Sequence, residues 1–389
     1  MLARRATMTA FALNGLTFAS WASRIPEVKE LLGLSAGQLG TVLLAVSLGS
    51  LIALPLSGRI AHRVGAGAAT MGAAVVASLG MLLAVVGIDG PGINGIDSRA
   101  VVMTGLFVTG LGIGVWDVSM NLHGTGVEAR LHRSIMPWFH AAFSGGTVLG
   151  ALLGAALSAA GVPVWLHLVT AQVIAVLGVG WAVRHYLPDA GPQPADPTTQ
   201  QSPRPARSAW TEPRTLLVGL VVLAAAFTEG TANDWLAVAF VEGHGLPHWA
   251  GVLALAVFLG FMTAGRILGT GLLDRHGRVP VLRALLALAA VGCLMVVVGP
   301  AWLAFAGAAL WGLGASMGFP VGISAAADDP VGAAQRISVV STIGYTAFLG
   351  GPPLLGWLGD HTGVLHALLA VGAMLAVAFF VTPAAEPLS

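Results

Sequence analysis

"FSGGTVLGALLG" at residues 143–154 returns as "FLGGPPLLGWLG" at 348–359. Each is an apolar, glycine-rich stretch that reads as helix, and the second lies about two hundred residues after the first. Three further pairs fall in the same order. "LLAVSLGSLIA" at 43–53 is answered by "ALAVFLGFMTA" at 254–264, and "GLG" at 110–112 by "GLG" at 312–314. "NG" with Trp21 in an early segment is answered by "EG" with Trp235 in a later one. One match between apolar segments means little, because few residue types compose them. Four in register predict a chain built as two copies of one unit. The register sets His140 opposite Tyr345 and Asp117 opposite Phe319.

Composition says what the copies are made of. Of the 389 residues 56% are hydrophobic and 9% charged, against about 25% charged in soluble domains. The apolar residues are spread along the whole length, so the chain reads as a polytopic membrane protein with the lipid bilayer as its first partner. A net charge of +1 gives no reason to expect nucleic acid. The single Cys293 excludes an intramolecular disulfide, and no metal or cofactor is expected. Residues 1–23 resemble a signal peptide in outline, but Asn14 and Trp21 interrupt the apolar run, and a retained first helix is expected.

Segments long enough to cross a bilayer fall at 7–23, 38–58, 67–88, 99–121, 135–160 and 164–183, then at 215–241, 249–273, 280–298, 301–326, 336–358 and 364–382. The expected fold is all-α, with 12 transmembrane helices in two pseudo-symmetric six-helix bundles. Residues 1–183 form the first bundle, 184–214 a proline-rich cytoplasmic linker, and 215–389 the second. With the N-terminus inside, the inner loops and tails hold Arg4, Arg5, Arg59, Arg63, Arg130, Arg133, Arg184, Arg204, Arg207, Arg214, Arg275, Arg278, Arg283 and Arg336. The outer loops hold only Arg24, Lys29 and Arg99. Both termini are therefore expected in the cytoplasm.

Polar residues inside the spans mark candidate sites, because an ionisable group there is costly and turns toward protein or a wet cavity. On the fourth span Gly110, Gly114, Asp117, Asn121, Gly124 and Glu128 share one stripe. Asp117 is read either as a structural hydrogen-bonding group or as a site for proton or substrate, and Glu128 as part of a gate or a solvated cap. On the fifth, His140 and Ser144 line a similar stripe, with substrate binding or proton relay assigned to His140. Asn14, Phe18 and Trp21 share a face of the first span, as a solute contact or as packing. On the seventh, "TEGTANDW" sets Glu229 and Asn233 toward the cavity, Glu229 as a proton-coupling group. Asp234 lies about 140° from Glu229 on an ideal helix, so it is given to a gate unless the helix breaks near Gly230. Arg266, within the eighth span, needs a carboxylate, and Asp328, Asp329 and Glu128 are the candidates. Trp311, Phe319 and Tyr345 complete the expected substrate surface from the second half.

With these residues in view, the chain resembles the major facilitator superfamily over essentially its whole length. "GRIAHRVGAG" at 58–67 is similar to that superfamily's G-x-L-A-D-R-x-G-R loop, with His62 in place of the acid and Ala66 in place of the last basic residue. "TGLLDRHGR" at 270–278 keeps Asp274, Arg275, Gly277 and Arg278. The resemblance implies a gating role for Arg59, His62, Arg63, Asp274, Arg275 and Arg278. "WDVSMN" at 116–121, "MPWFHAAFSGG" at 136–146, "EGTANDW" at 229–235 and "GYTAFLGGPP" at 344–353 resemble the YbjJ/MosC-like branch, distantly related to fucose permease. That implies a sugar- or polyol-like solute.

The expectation is a monomeric secondary-active permease of the bacterial inner membrane, moving a small polar solute by alternating access with protons as coupling ion. Proton-driven export of amphipathic compounds or drugs is the alternative, and a non-transporting sensor or scaffold is the alternative of another class. No enzyme is expected. "GASMG" at 314–318 has the form of a nucleophile elbow but lacks a preceding strand. "GPGING" at 90–95 lacks the strand–turn–helix context of a dinucleotide site. His244 and His248 are separated by Pro247 and have no third metal ligand in the sequence nearby.

Overall fold

A computed structural model describes residues 2–89, 97–131, 135–188 and 209–388. Arg133, Arg204, Arg207, the 90–95 motif and most of the expected linker lie outside these residues. No strand occurs among the described residues. Twelve helical segments have membrane length: Leu2–Ala22, Ala36–Val64, Ala66–Asp89, Ser98–Leu131, Met136–Ala159, Val164–Val183, Pro213–His244, His248–His276, Arg278–Val298, Ala301–Ala326, Ala333–Thr362 and Val364–Ala385. These are the first to twelfth spans. Ten are both long and apolar enough to cross a membrane. The first and eleventh, of 21 and 30 residues, have the length but are more polar. Helices are the form an apolar chain takes here, because lipid offers no partner to a free N–H or C=O.

The chain divides into two compact units. One comprises Met1–Gly191 with Leu246–Ala256, the other Pro192–Gly245 with Val257–Ser389. In the first unit, the first span packs on the fifth and sixth, and the fourth on the second and third. The contacts are close because glycine opens them. A methyl group at Gly110 would lie 2.0 Å from the Val46 carbonyl oxygen, and one at Gly146 would lie 2.1 Å from that of Ala12. Hydroxyls and amides add cross-links, Thr70 to Ser119 and Ser78 to Gln172, each at 3.0 Å.

The second unit repeats the scheme. A methyl group at Gly312 would lie 2.2 Å from the Phe258 carbonyl oxygen, the counterpart of the Gly110 crossing. The tight turns repeat as well. Gly65, between the second and third spans, has φ +87°, and Gly277, between the eighth and ninth, has φ +78°. Only glycine takes such a conformation without strain, so one residue suffices to reverse the chain. At one end of this unit, Asp328 accepts from Arg214 and from Arg278, both at 2.7 Å, while Arg336 holds Glu212 and Asp329.

Three departures from the expected spans have local causes. The fourth runs on to Leu131 rather than ending near 121, and one face of the extension, His123, Gly124 and Val127, is buried against protein. His123 Nε2 accepts from the Leu187 N–H at 2.9 Å, and Gly124 sits against Phe139. A short helix, Ile25–Leu31, follows the first span where only a loop was expected; Pro26 stands in its first turn, where a missing N–H costs nothing. The tenth span is interrupted at Ser316 and Met317, between the helices Ala301–Ala315 and Gly318–Ala326.

Candidate functional site

In the first unit Asp117 is exposed on the fourth span, and Asn121, one turn on, donates to its carbonyl at 2.9 Å and to its carboxylate at 3.3 Å. The side chain is thus an acceptor held by a neighbour's amide and still open on its other side. His140 is also exposed, with its ring edge-on to Phe11 at 5.4 Å. Asn14 is buried and its amide nitrogen has no hydrogen-bond partner, while Phe18 is half-buried and Trp21 buried. Ser144 is buried, and Thr147 donates to its carbonyl.

Glu128 caps the start of the fifth span. Its Oε2 accepts from the N–H groups of Ile135 at 2.6 Å and Met136 at 2.8 Å, so it satisfies donors that the start of the fifth span leaves free.

In the second unit Arg266 finds its carboxylate. Arg266 Nη2 donates to Glu229 Oε2 at 2.9 Å, and Nε donates to the Ser316 carbonyl at 3.3 Å, at the interruption of the tenth span. The three candidates from sequence are engaged elsewhere, Asp328 and Asp329 with other arginines and Glu128 as a cap. The Arg266 and Glu229 side chains keep 32% and 23% of their surface accessible, so the pair is not sealed. Phe319, Tyr345 and Phe348 form a tilted row of half-buried rings with centroids 6.4 Å apart. Phe348 packs against Gly230, the residue after Glu229. Trp311 does not join this row. It is fully buried and edge-on to Phe258 at 5.9 Å, so it packs inside the unit and presents no accessible face.

The seventh span does not break at Gly230. Instead Ala232–Leu236 forms a π turn and the helix resumes at Ala237. Such turns are rare and recur at functional sites. Around it Thr231 Oγ1, Asn233 Oδ1 and Trp235 Nε1 are buried without hydrogen-bond partners among the described residues.

The loop residues and the decoys resolve individually. Arg59, His62, Arg63, Asp274 and Arg275 are exposed at helix ends. Arg278 is held within its own unit by Asp328 and Ser324. The Ser316 hydroxyl donates to the Leu313 carbonyl at 2.7 Å. His244 bonds the Val296 carbonyl and His248 pairs with Glu30, so the two histidines serve different partners.

Sequence reasoning missed a cluster at the far end of the first unit. Arg24, counted as a loop charge, is fully buried. Its Nε donates to His167 Nδ1 at 2.9 Å, its Nη1 donates to Glu27, and Ser158 donates to the other oxygen of Glu27. The signal was present: a basic residue three before an acid, and a lone histidine in the sixth span.

Known proteins fit this architecture. Residues 6–275 match the family model described as Major Facilitator Superfamily. An uncharacterised MFS-type transporter of Yersinia pestis is 29% identical over 95% of this chain and 92% of its own length. The uncharacterised transporter y4wD of Sinorhizobium fredii is 30% identical over 97% of each, and the membrane protein MosC of Rhizobium meliloti is 27% identical over 96% of this chain and 90% of its own. The crystal structure of an aspartate-to-alanine mutant of the nucleoside transporter NupG superposes with a TM-score of 0.77 at 12% identity, covering 98% of this chain and 99% of that one. An asparagine-to-alanine variant of the E. coli fucose:proton symporter FucP superposes with a TM-score of 0.66 at 16% identity, covering 99% and 98%. With twelve membrane-length helical segments, a repeated glycine framework and a family match across more than half its length, the chain belongs to the Major Facilitator Superfamily and is a multi-pass membrane transporter.

Proposed function

We propose that the protein is a secondary-active transporter that moves a small polar solute, of sugar-, polyol- or nucleoside-like character, across the bacterial inner membrane with protons as the coupling ion. The observation that carries this reading is the Glu229–Arg266 pair, a partly accessible ion pair inside membrane-spanning helices. Ionisable groups are kept at such depth for function far more often than for stability. The pair offers donors and acceptors to hydroxyl groups, and the half-buried rings of Phe319, Tyr345 and Phe348 offer flat apolar faces to a sugar or base ring. In the first unit Asp117, Asn121 and His140 supply further accessible polar contacts. The solved structures of a nucleoside transporter and a fucose:proton symporter share the fold and agree with this solute class. The distribution of arginine and lysine favours cytoplasmic termini.

The test starts from binding. Purified protein is heated in the presence of sugars, polyols, amino sugars, nucleosides and lipophilic cations, at mildly acidic and at neutral pH; a ligand of the folded state raises the unfolding temperature in step with occupancy. Stabilisation by a polar solute, followed by its pH-gradient-driven uptake into proteoliposomes, is the expected result. Stabilisation by lipophilic cations alone points to export of amphipathic compounds. Binding without flux points to a sensor.

A further inference from the structure

The seventh span carries two carboxyl groups, and the structure treats them differently. Glu229 has its cation, with Arg266 at 2.9 Å. Asp234 is half-buried within the same membrane-spanning segment, and neither a hydrogen bond nor an ion pair reaches it among the described residues. Its surroundings are short of donors: the adjacent Asn233 presents a buried carbonyl oxygen that is itself without a partner. Charged or titratable groups on its own span are Arg214, Glu229, Glu242 and His244. On the other spans of the second unit they are Arg266, Asp274, Arg275 and His276 of the eighth; Arg278, Arg283 and Cys293 of the ninth; Arg336, Tyr345, Asp360 and His361 of the eleventh; and His366 of the twelfth. None of them bonds Asp234. Arg266 is occupied by Glu229 and the Ser316 carbonyl, and His244 by the Val296 carbonyl.

Asp234 also sits in the middle of the π turn Ala232–Leu236. In an α-helix a five-residue separation points two side chains well apart, whereas a π turn closes on the fifth residue and advances less per residue. The wider turn therefore swings Asp234 back toward the face that carries Glu229, without breaking the helix.

We propose that Asp234, set in this π turn, is the carboxyl that takes up and releases the coupling proton, while Glu229 remains matched to Arg266. The proposal rests on the proton-coupled reading above and assigns its proton to a particular atom pair. An unpaired carboxylate in the membrane interior has neither cation nor donor to hold its charge, and binding a proton removes that charge. Glu229 gains nothing comparable, since protonating it would strand Arg266. The step is balanced simply: a carboxylate oxygen accepts a proton from water on one face of the membrane and returns it to water on the other, with no other bond made or broken. Closure of the site around a neutral Asp234 is favoured over closure around a charged one, and that difference ties the proton to the conformational change.

The experiment is pH-difference infrared spectroscopy of the full-length protein in lipid nanodiscs, which detects protonated carboxyl groups directly and needs no identified solute. The wild type is expected to show a carboxylic-acid stretch that titrates, and the stretch is expected to vanish in Asp234→Asn and persist in Glu229→Gln and Asp117→Asn. A stretch that survives in Asp234→Asn, or one lost only in Asp117→Asn or Glu229→Gln, overturns the proposal. If Asp234→Asn does not fold, Asp234→Glu decides: a displaced stretch supports the assignment and an undisplaced one refutes it. Failure of the broader reading looks different. Wild-type uptake that ignores the pH gradient removes proton coupling altogether. Uptake that follows the gradient, with the stretch surviving in Asp234→Asn, leaves coupling standing and moves its carboxyl elsewhere.

Discussion

Arg24–Glu27 in the first unit and Arg266–Glu229 in the second are both arginine–glutamate pairs, and the two are built for different ends. In the first unit Arg24 is fully buried and Glu27 keeps 15% of its side-chain surface. His167 and Ser158 take up further hydrogen-bonding positions, so three separate segments converge on the pair. In the second unit Arg266 and Glu229 keep 32% and 23%, and among the described residues the only other partner of Arg266 is a carbonyl at a helix interruption. A buried, multiply bonded pair fixes a geometry, and losing one member leaves the other charge stranded. An accessible pair with few partners can exchange them. The first pair reads as scaffold and the second as working part.

Removing the scaffold arginine is the most severe way to break this contrast. Arg24→Met leaves Glu27 without its cation and His167 without its donor, and a buried pair broken on one side costs about 3–5 kcal/mol. The expected outcome is a large fall in the unfolding temperature of the purified protein, or failure to accumulate in the membrane. If Arg24→Met unfolds as the wild type does, the cluster is not structural.

A smaller loss is expected where the units are alike. A methyl group at Gly110 would meet the Val46 carbonyl at 2.0 Å, and one at Gly312 the Phe258 carbonyl at 2.2 Å. Both obstacles are backbone, so the helices must separate, and overpacking of this kind costs about 1–3 kcal/mol. Gly110→Ala and Gly312→Ala are expected to lower the unfolding temperature by similar amounts. Unequal losses would show that the crossings are equivalent in geometry but not in energy.

For the working pair, stability and activity should part company. Glu229→Gln keeps a hydrogen-bond acceptor for Arg266, and a partly exposed pair contributes about 1 kcal/mol or less. The unfolding temperature is expected to change little while solute uptake into proteoliposomes falls at every pH, because Arg266 is left uncompensated. The double variant Glu229→Gln with Arg266→Gln removes the stranded charge and should likewise keep stability near that of the wild type without recovering uptake. Near-wild-type uptake by Glu229→Gln would return this pair to a structural role.

The fold was legible because lipid imposes so few solutions: apolar runs of membrane length gave all twelve spans, and paired motifs gave the repeat. In sequence Gly65 and Gly277 stand only as members of the two loop motifs, and their positive φ emerges from the backbone. The site was legible only in its residue types. Arg266 needed a carboxylate, but a helix brings together residues far apart in sequence, and Glu229, 37 positions away, was visible only once the seventh and eighth spans were packed. The π turn was hidden too, since nothing in "TANDWL" distinguishes a five-residue turn from a four-residue one. Trp311 shows the reverse error: a large aromatic in an equivalent register position suggests a surface, and burial is what decides otherwise.

The mildest test uses a third arginine pair, and it calibrates the other two. Asp97, just before the fourth span, and Arg99, in its first turn, form a 2.9 Å ion pair, and the Arg99 and Asp97 side chains keep 42% and 54% of their surface. The hydrogen bonds from Arg99 hold the Asp97 carboxyl below the usual carboxylate range. A depressed carboxyl contributes stability above its ordinary pKa and loses it as pH falls through the depressed value, so any effect would appear as destabilisation in acid. Yet water screens the pair from both sides, and salt weakens it further. Asp97→Asn is therefore expected to leave the unfolding temperature unchanged at neutral pH, in low and high salt alike. With Arg24, Arg266 and Arg99 in one series, loss of stability should follow burial while loss of transport should follow Arg266 alone; a transport defect in Asp97→Asn would show that charge outside the spans also governs the cycle.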